Sequence, residues 1–444
     1  MRIPGSLITA ALALVLIAAA GPLAAATYYV DQKHPSAHDD NPGSEGAPWA
    51  SLRRAMREPL APGDTVIVKE GVYDASGGTW NRPALNPATS GTADAPITFR
   101  SEPRHAARLD SRGDDGAIGS FARDYIVIDG FELRGNSTIG VSVFGTVGTR
   151  VKGVTIQNMR ISGMRGSNGG NTDGIRVERA SGATIRNNEI FDIRNETGTT
   201  NAAGVKVYYS DNIVIENNEM YDLVAGVKDK EQGTNNHVRR NLIRDCSVGM
   251  ELMNQNDTTT RGYHFYQNIV ANCSNGFVGQ TSSTAQMHDV SIHNNLFYRY
   301  RVSGVAGTRH GTNRQIFNNI FVPTGSVTSD ISAYTDPARE FTLVDHNLYA
   351  QEPNNVIGLY QSNRWMRSLA DWQAAGFDGY GMVADPRLRD PERGDFRPRS
   401  DSPVLNAGVL DGGVVNIGPY LQGDEVIGIN NATAPAAPAG LRIG

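Results

Sequence analysis

Four stretches of the chain repeat a glycine, an apolar residue and then a charged one: Gly174-Ile175-Arg176, Gly204-Val205-Lys206, Gly226-Val227-Lys228 and Gly249-Met250-Glu251. Gly140-Val141-Ser142 precedes them. On an extended strand successive side chains point to opposite faces, so an inward apolar residue sends the charged one outward. The outward residues then form a column of Ser142, Arg176, Lys206, Lys228 and Glu251. A second outward column, two residues on, is Phe144, Glu178, Tyr208, Lys230 and Met253. Stacked strands lie about 4.8 Å apart, so Arg176, Lys206 and Lys228 would form a positive strip. Like charges in register are unfavourable unless something anionic lies between or over them.

An anionic polymer of uronic acids is the partner that such a strip suits. β-Elimination removes the C5 proton beside a carboxylate, and the enzyme must neutralise the carboxylate, supply a base and protonate the leaving oxygen. Lysines crowded by other cations and partly desolvated lose basicity toward the neutral range, as a general base requires. Lys228 is the first candidate base and Lys206 the second. Arg176 would bind a carboxylate and Tyr208 would be the acid. Lys230, Glu251 and His237 are expected along the groove as substrate contacts. Asn171, Asp173 and Glu178 offer hard oxygens for Ca²⁺, with Asp229 or Glu231 joining them. Calcium takes six to eight oxygens, so backbone and water would have to complete the shell. Other readings of the same residues are an ordinary solvated charged face with turn-capping carboxylates, a glycoside hydrolase using Glu178, Asp229 and Glu251, and a non-catalytic carbohydrate-binding solenoid.

The elements that would position these groups recur regularly. Alternating apolar stretches end in asparagine at positions 188, 218, 241, 268, 295 and 319, with steps of 23 to 30 residues. That spacing predicts an all-β chain wound as a parallel β-helix with three short strands per coil. Ile185, Ile215 and Val238 should stack inside it. The asparagines should form a ladder at a corner, because Asn tolerates left-handed backbone and bonds to neighbouring backbone groups. Polar insertions at Gly163–Asn171, Arg194–Asn201 and Asn254–Gly262 flank the charged columns, where function in a solenoid collects. Trp49–Met56 carries helical spacing and suits a cap over the open amino-terminal end. Trp365–Ala375 reads as a second short amphipathic helix. Cys246 and Cys273 occupy equivalent places in consecutive coils, so a disulfide and two stacked interior thiols are both open.

Composition bounds the rest. The 444 residues carry a net charge of −5 and 49 glycines. That balance gives no support to nucleic-acid binding. Two cysteines are too few for a disulfide-built scaffold. Residues 1–26 read as a signal peptide: Met1-Arg2, an apolar run from Leu7 to Ala20, and Ala24-Ala25-Ala26. A soluble chain, secreted or periplasmic, with no membrane insertion after cleavage is expected. The expected division is a capped β-helix over 27–350, a capping extension over 351–429 and an Ala/Pro-rich disordered tail over 430–444. A monomer acting on an anionic polysaccharide is expected.

Several motifs carry a family likeness. Tyr28-Tyr29-Val30, Asp39-Asp40-Asn41-Pro42-Gly43-Ser44 and Pro48-Trp49-Ala50-Ser51-Leu52 resemble the opening of pectate lyases of polysaccharide lyase family 9. Gly63-Asp64-Thr65-Val66 and Gly71-Val72-Tyr73 continue the pattern. The resemblance implies a right-handed, single-stranded parallel β-helix, a lysine base and a calcium site that includes Asn171-Thr172-Asp173-Gly174. Alginate and chondroitin lyases of family 6 share that fold and use a lysine and arginine pair. Resemblance to them would match Lys206 or Lys228 with Arg239 or Arg240.

Overall fold

The computed structural model describes residues 25–135, 137–166, 170–196, 201–254, 258–281, 285–307, 311–325, 329–333, 341–350, 357–360 and 364–429. The expected signal peptide (all but its last two residues), the tail over 430–444 and parts of the three insertions lie outside them.

Among the described residues, three parallel sheets wind around one core. The first face runs from Thr27–Val30 through Thr155–Gln157 and His237–Arg239 to Leu343–Asp345. The second runs from Gly71–Asp74 to Met382–Val383, and the third from Ile118–Phe121 to Gly358–Tyr360. Registers repeat coil after coil. On the first face Ile128, Ile156, Ile185, Ile215, Val238, Phe265 and Ile292 form one inward column, all buried. Phe297, Phe321 and Tyr349 stack inside the second face with ring centres 5.3 and 5.4 Å apart. Each inward side chain rests on its equivalent in the next coil, so a recurring residue type fills a recurring volume.

The asparagine ladder is present. Nδ2 of Asn188 donates to Oδ1 of Asn218, and the chain of bonds continues through Asn241, Asn268, Asn295, Asn319 and Asn347 at 2.9–3.1 Å. The corner divides its work between two residues. The left-handed backbone belongs to the residue before each rung, as at Asn187, Asn217, Arg240 and Gln267, each with φ of 54°. The rung itself is fully buried and satisfies backbone groups. Asn268 donates to the carbonyls of Val238 and Tyr266 and accepts from the Asn241 amide. Asn268→Ala should therefore strand several buried groups at about 1–3 kcal/mol each. A large fall in the urea midpoint with an unchanged far-ultraviolet dichroism spectrum is the expected measurement.

Helix α1, Leu52–Arg57, is capped by Ser51 and buries Leu52, Ala55 and Met56. Helix α2, Leu369–Ala374, has a capping box of Ser368 and Asp371 and buries Trp372. The Trp372 indole donates to Asp378, which also ends the ladder by accepting from Asn347. The following segment lies along the second face, where Leu388, Phe396, Val404, Ile417 and Tyr420 cover Ile269, Leu296, Ile320 and Leu348. Cys246 and Cys273 form a disulfide between adjacent coils, with Cα atoms 4.5 Å apart. Among the described residues no helix is long and apolar enough to cross a membrane.

Candidate functional site

The third face aligns the charged columns, and its glycines explain why it can. A Cβ on Gly204 would lie 2.9 Å from the Gly226 carbonyl oxygen. One on Gly226 would lie 2.7 Å from that of Gly249. None of these glycines has a left-handed φ. Their role is to let successive coils approach, which sets the register of everything downstream of them.

That register is the expected one. Arg176 pairs with Lys206, Lys206 with Lys228 and Lys228 with Glu251. Glu178, Tyr208, Lys230 and Met253 form the neighbouring column. The expected bare positive strip is not what the structure builds. Lys206 is 0% exposed, Lys228 2%, and Arg176 and Glu251 6% each. Every one of these cations has a carboxylate. The Lys206 amine lies 2.6 Å from Asp173 Oδ1, and Lys228 lies 2.5 Å from Glu251 Oε2. Arg176 meets Glu178 at 3.0 Å and Asp173 at 3.6 Å. Arg179 is a further partner of Glu178. Buried charges must be paired, and Asp173, three residues before Arg176, supplies the partner that the column pattern did not show. Lys206 also donates to Asn171 Oδ1 and the Asn201 carbonyl, at 3.2 and 3.0 Å. Burial pushes its amine down to about 8; Asp173 opposes the fall, and Lys228 and Arg176 add to it.

Above this paired layer lie Tyr208 and Lys230. Tyr208 donates to Asn171 Oδ1 at 3.1 Å, and its ring faces the Arg176 guanidinium at 4.6 Å. Burial raises its phenol well above the ordinary range. Lys230 is partly exposed, with its amine 5.7 Å from the Tyr208 ring, and has no ion-pair partner among the described residues. Burial, then the nearby Lys228, lowers its basicity. Trp80, far upstream in sequence, sits 5.6 Å from Arg176 and was not among the expected site residues.

Other expected members fall elsewhere. Arg239 lies on the first face, paired with Glu216 and Tyr266. Arg240 occupies the left-handed corner beside it. His237 stacks on His264 at 4.6 Å, and burial, with His264 and Arg239, brings it down to about 4. A corner with positive φ at Glu231, Gln232 and Asn235 carries the chain from Lys230 to this other face. The arginine pair is therefore not brought to Lys206 or Lys228.

Of the expected calcium ligands, Asp229 is turned away from Asn171, Asp173 and Glu178. Asp229 is in register with Val207 and Leu252 and faces the core, not Asp173. Asp173 and Glu178 are held by cationic side chains, and Asn171 serves Lys206 and Tyr208. Among the described residues no three His, Cys, Asp or Glu side chains converge as metal ligands. This donor set does not fit a calcium ion.

Asp229 has a different consequence. Burial pushes its carboxyl up to about 8, against a hydrogen bond from Asn236 at 2.8 Å. Between about pH 4 and pH 8 the folded state then holds a proton that the unfolded chain has lost. Stability should fall as pH rises across that window. Thermal midpoints measured from pH 4 to 8 should show this slope, and Asp229→Asn should flatten it.

A family model described as a right handed beta helix region matches residues 113–336, half of the chain. No curated protein matches the chain. Among solved structures, pectate lyase Pel9A is 13% identical, with 89% of this chain and 96% of that one covered and a TM-score of 0.54. The complex of XylC with xylose is 12% identical, with coverage of 89% and 98% and a TM-score of 0.52. At these identities the likeness is one of fold. Parallel coils with a shared register, a core of stacked equivalents and the matching family model agree: the chain belongs to the right-handed β-helix family.

Proposed function

We propose that this protein is an exported polysaccharide lyase that cleaves a uronic-acid-containing polymer by β-elimination on the third face. The observation that carries the reading is Lys230, a partly exposed amine with lowered basicity and no ion-pair partner among the described residues, beside a protonated Tyr208. Neutral Lys230 takes the C5 proton. Tyr208 donates its phenolic proton to the departing glycosidic oxygen. Arg176, in the paired layer against the Tyr208 ring, adds positive charge beneath the site as the C5 carbanion forms, without touching the substrate. Lys206 and Lys228, the bases expected from sequence, serve as the charged floor, because their amines are buried and bound to carboxylates. The fold shared with a pectate lyase is in keeping with this substrate class.

A hydrolase reading draws on Asp173, Glu178 and Glu251 lying on the same face, and on the fold shared with XylC, which was seen with xylose. Each of these carboxylates is already engaged by a buried lysine or arginine. Incubation with pectate, alginate and glycosaminoglycans separates the two. Ultraviolet absorbance from an unsaturated product supports elimination. New reducing ends without absorbance support hydrolysis, and no absorbance gain on any uronate polymer sinks the lyase.

A further inference from the structure

We infer that Trp80 is a sugar-stacking subsite at the amino-terminal end of the charged columns on the third face, a proposal that rests on the polysaccharide reading above. The residue stands in a long loop between Gly71–Asp74 and Ile97–Ser101. This loop does not hang free. The Leu85 amide donates to the Ala117 carbonyl at 3.1 Å, and the Leu85 carbonyl accepts from Gly119 at 3.2 Å. Leu85 itself is 0% exposed and pairs in parallel with Ile118. The loop therefore adds one more rung to the third face, ahead of the strand that precedes Ser142 and Arg176.

Trp80 sits in the turn that leads into this rung. Thr79 and Arg82 exchange backbone hydrogen bonds at 2.8 and 3.2 Å around it. Its indole meets the buried Phe144 edge-on, with centres 5.6 Å apart at 80°. The Arg176 guanidinium lies 5.6 Å from the same ring. Nearly half of Trp80, 49%, is nevertheless exposed. A hydrogen-bonded turn, an indole held against Phe144 and Arg176, and about half of the residue left to solvent make a preorganised platform. A pyranose ring offers a matching C–H face. From a ring stacked there, the next units along the polymer would run toward Tyr208 and Lys230. The occupant is thus a sugar unit of the same anionic chain, bound one or more residues away from the bond that breaks.

The test uses the full-length protein and pectate- and alginate-derived oligouronates of four to eight units. Binding is measured by calorimetry and by quenching of tryptophan fluorescence, and turnover by ultraviolet absorbance. Trp80→Ala should weaken binding of the longer oligomers about tenfold, with KM rising with chain length, and Trp80→Phe should restore most of the loss. Equal binding of every length by wild type and Trp80→Ala would overturn the subsite even if product forms. Weakened binding by Trp80→Ala with no unsaturated product would keep the subsite and overturn the elimination. Failure of the wild type to bind any oligouronate would overturn both.

Discussion

Replacing Lys230 by alanine is expected to lower turnover of a uronate polymer by about 10³-fold, within the usual range for losing a general base. The effect should fall on kcat, because the amine acts on a proton that is lost only as the transition state forms. Lys230→Arg keeps the charge and cannot act as a base near neutral pH, so it should be as inactive as the alanine variant. The two variants together separate catalysis from electrostatic attraction of the polymer. The wild-type rate should rise with pH toward an inflection below 10.5, the ordinary lysine value, because burial and Lys228 favour the neutral amine. Full activity in Lys230→Ala, measured by ultraviolet absorbance at saturating substrate, would remove Lys230 as the base.

The second large effect is on stability. Lys206 and Asp173 are both fully buried and lie 2.6 Å apart. Removing one member of such a pair leaves the other without its partner away from water, at about 3–5 kcal/mol. Asp173→Asn and Lys206→Met should each show a loss of that order in urea unfolding. The double variant should lose less than the sum, because neither leaves its partner's charge behind. Additive losses would show that the two side chains do not stabilise each other. Arg176 at 3.6 Å from Asp173 partly compensates Lys206→Met, so Asp173→Asn should be the more damaging single change.

The division between what was legible and what was not follows the reach of each interaction. Gly204, Gly226 and Gly249 recur because coils approach to backbone contact there, and Asn218, Asn241 and Asn268 recur because each bonds to the next. Both are contacts between consecutive coils, so they leave a period in the chain. The sequence by itself thus determined the winding, the register and the two columns Arg176–Lys206–Lys228–Glu251 and Glu178–Tyr208–Lys230–Met253. Burial and pairing depend on groups that the period does not describe. Asn171 and Asn201 reach Lys206 from the ends of insertions, and Trp80 reaches Arg176 from a loop far upstream. Arg239 is near Lys228 in sequence, yet a left-handed corner turns it to another face. Only the tertiary structure decided which lysine remains open to solvent. Solvent access is set by everything that packs over a side chain, and not by its place in the repeat.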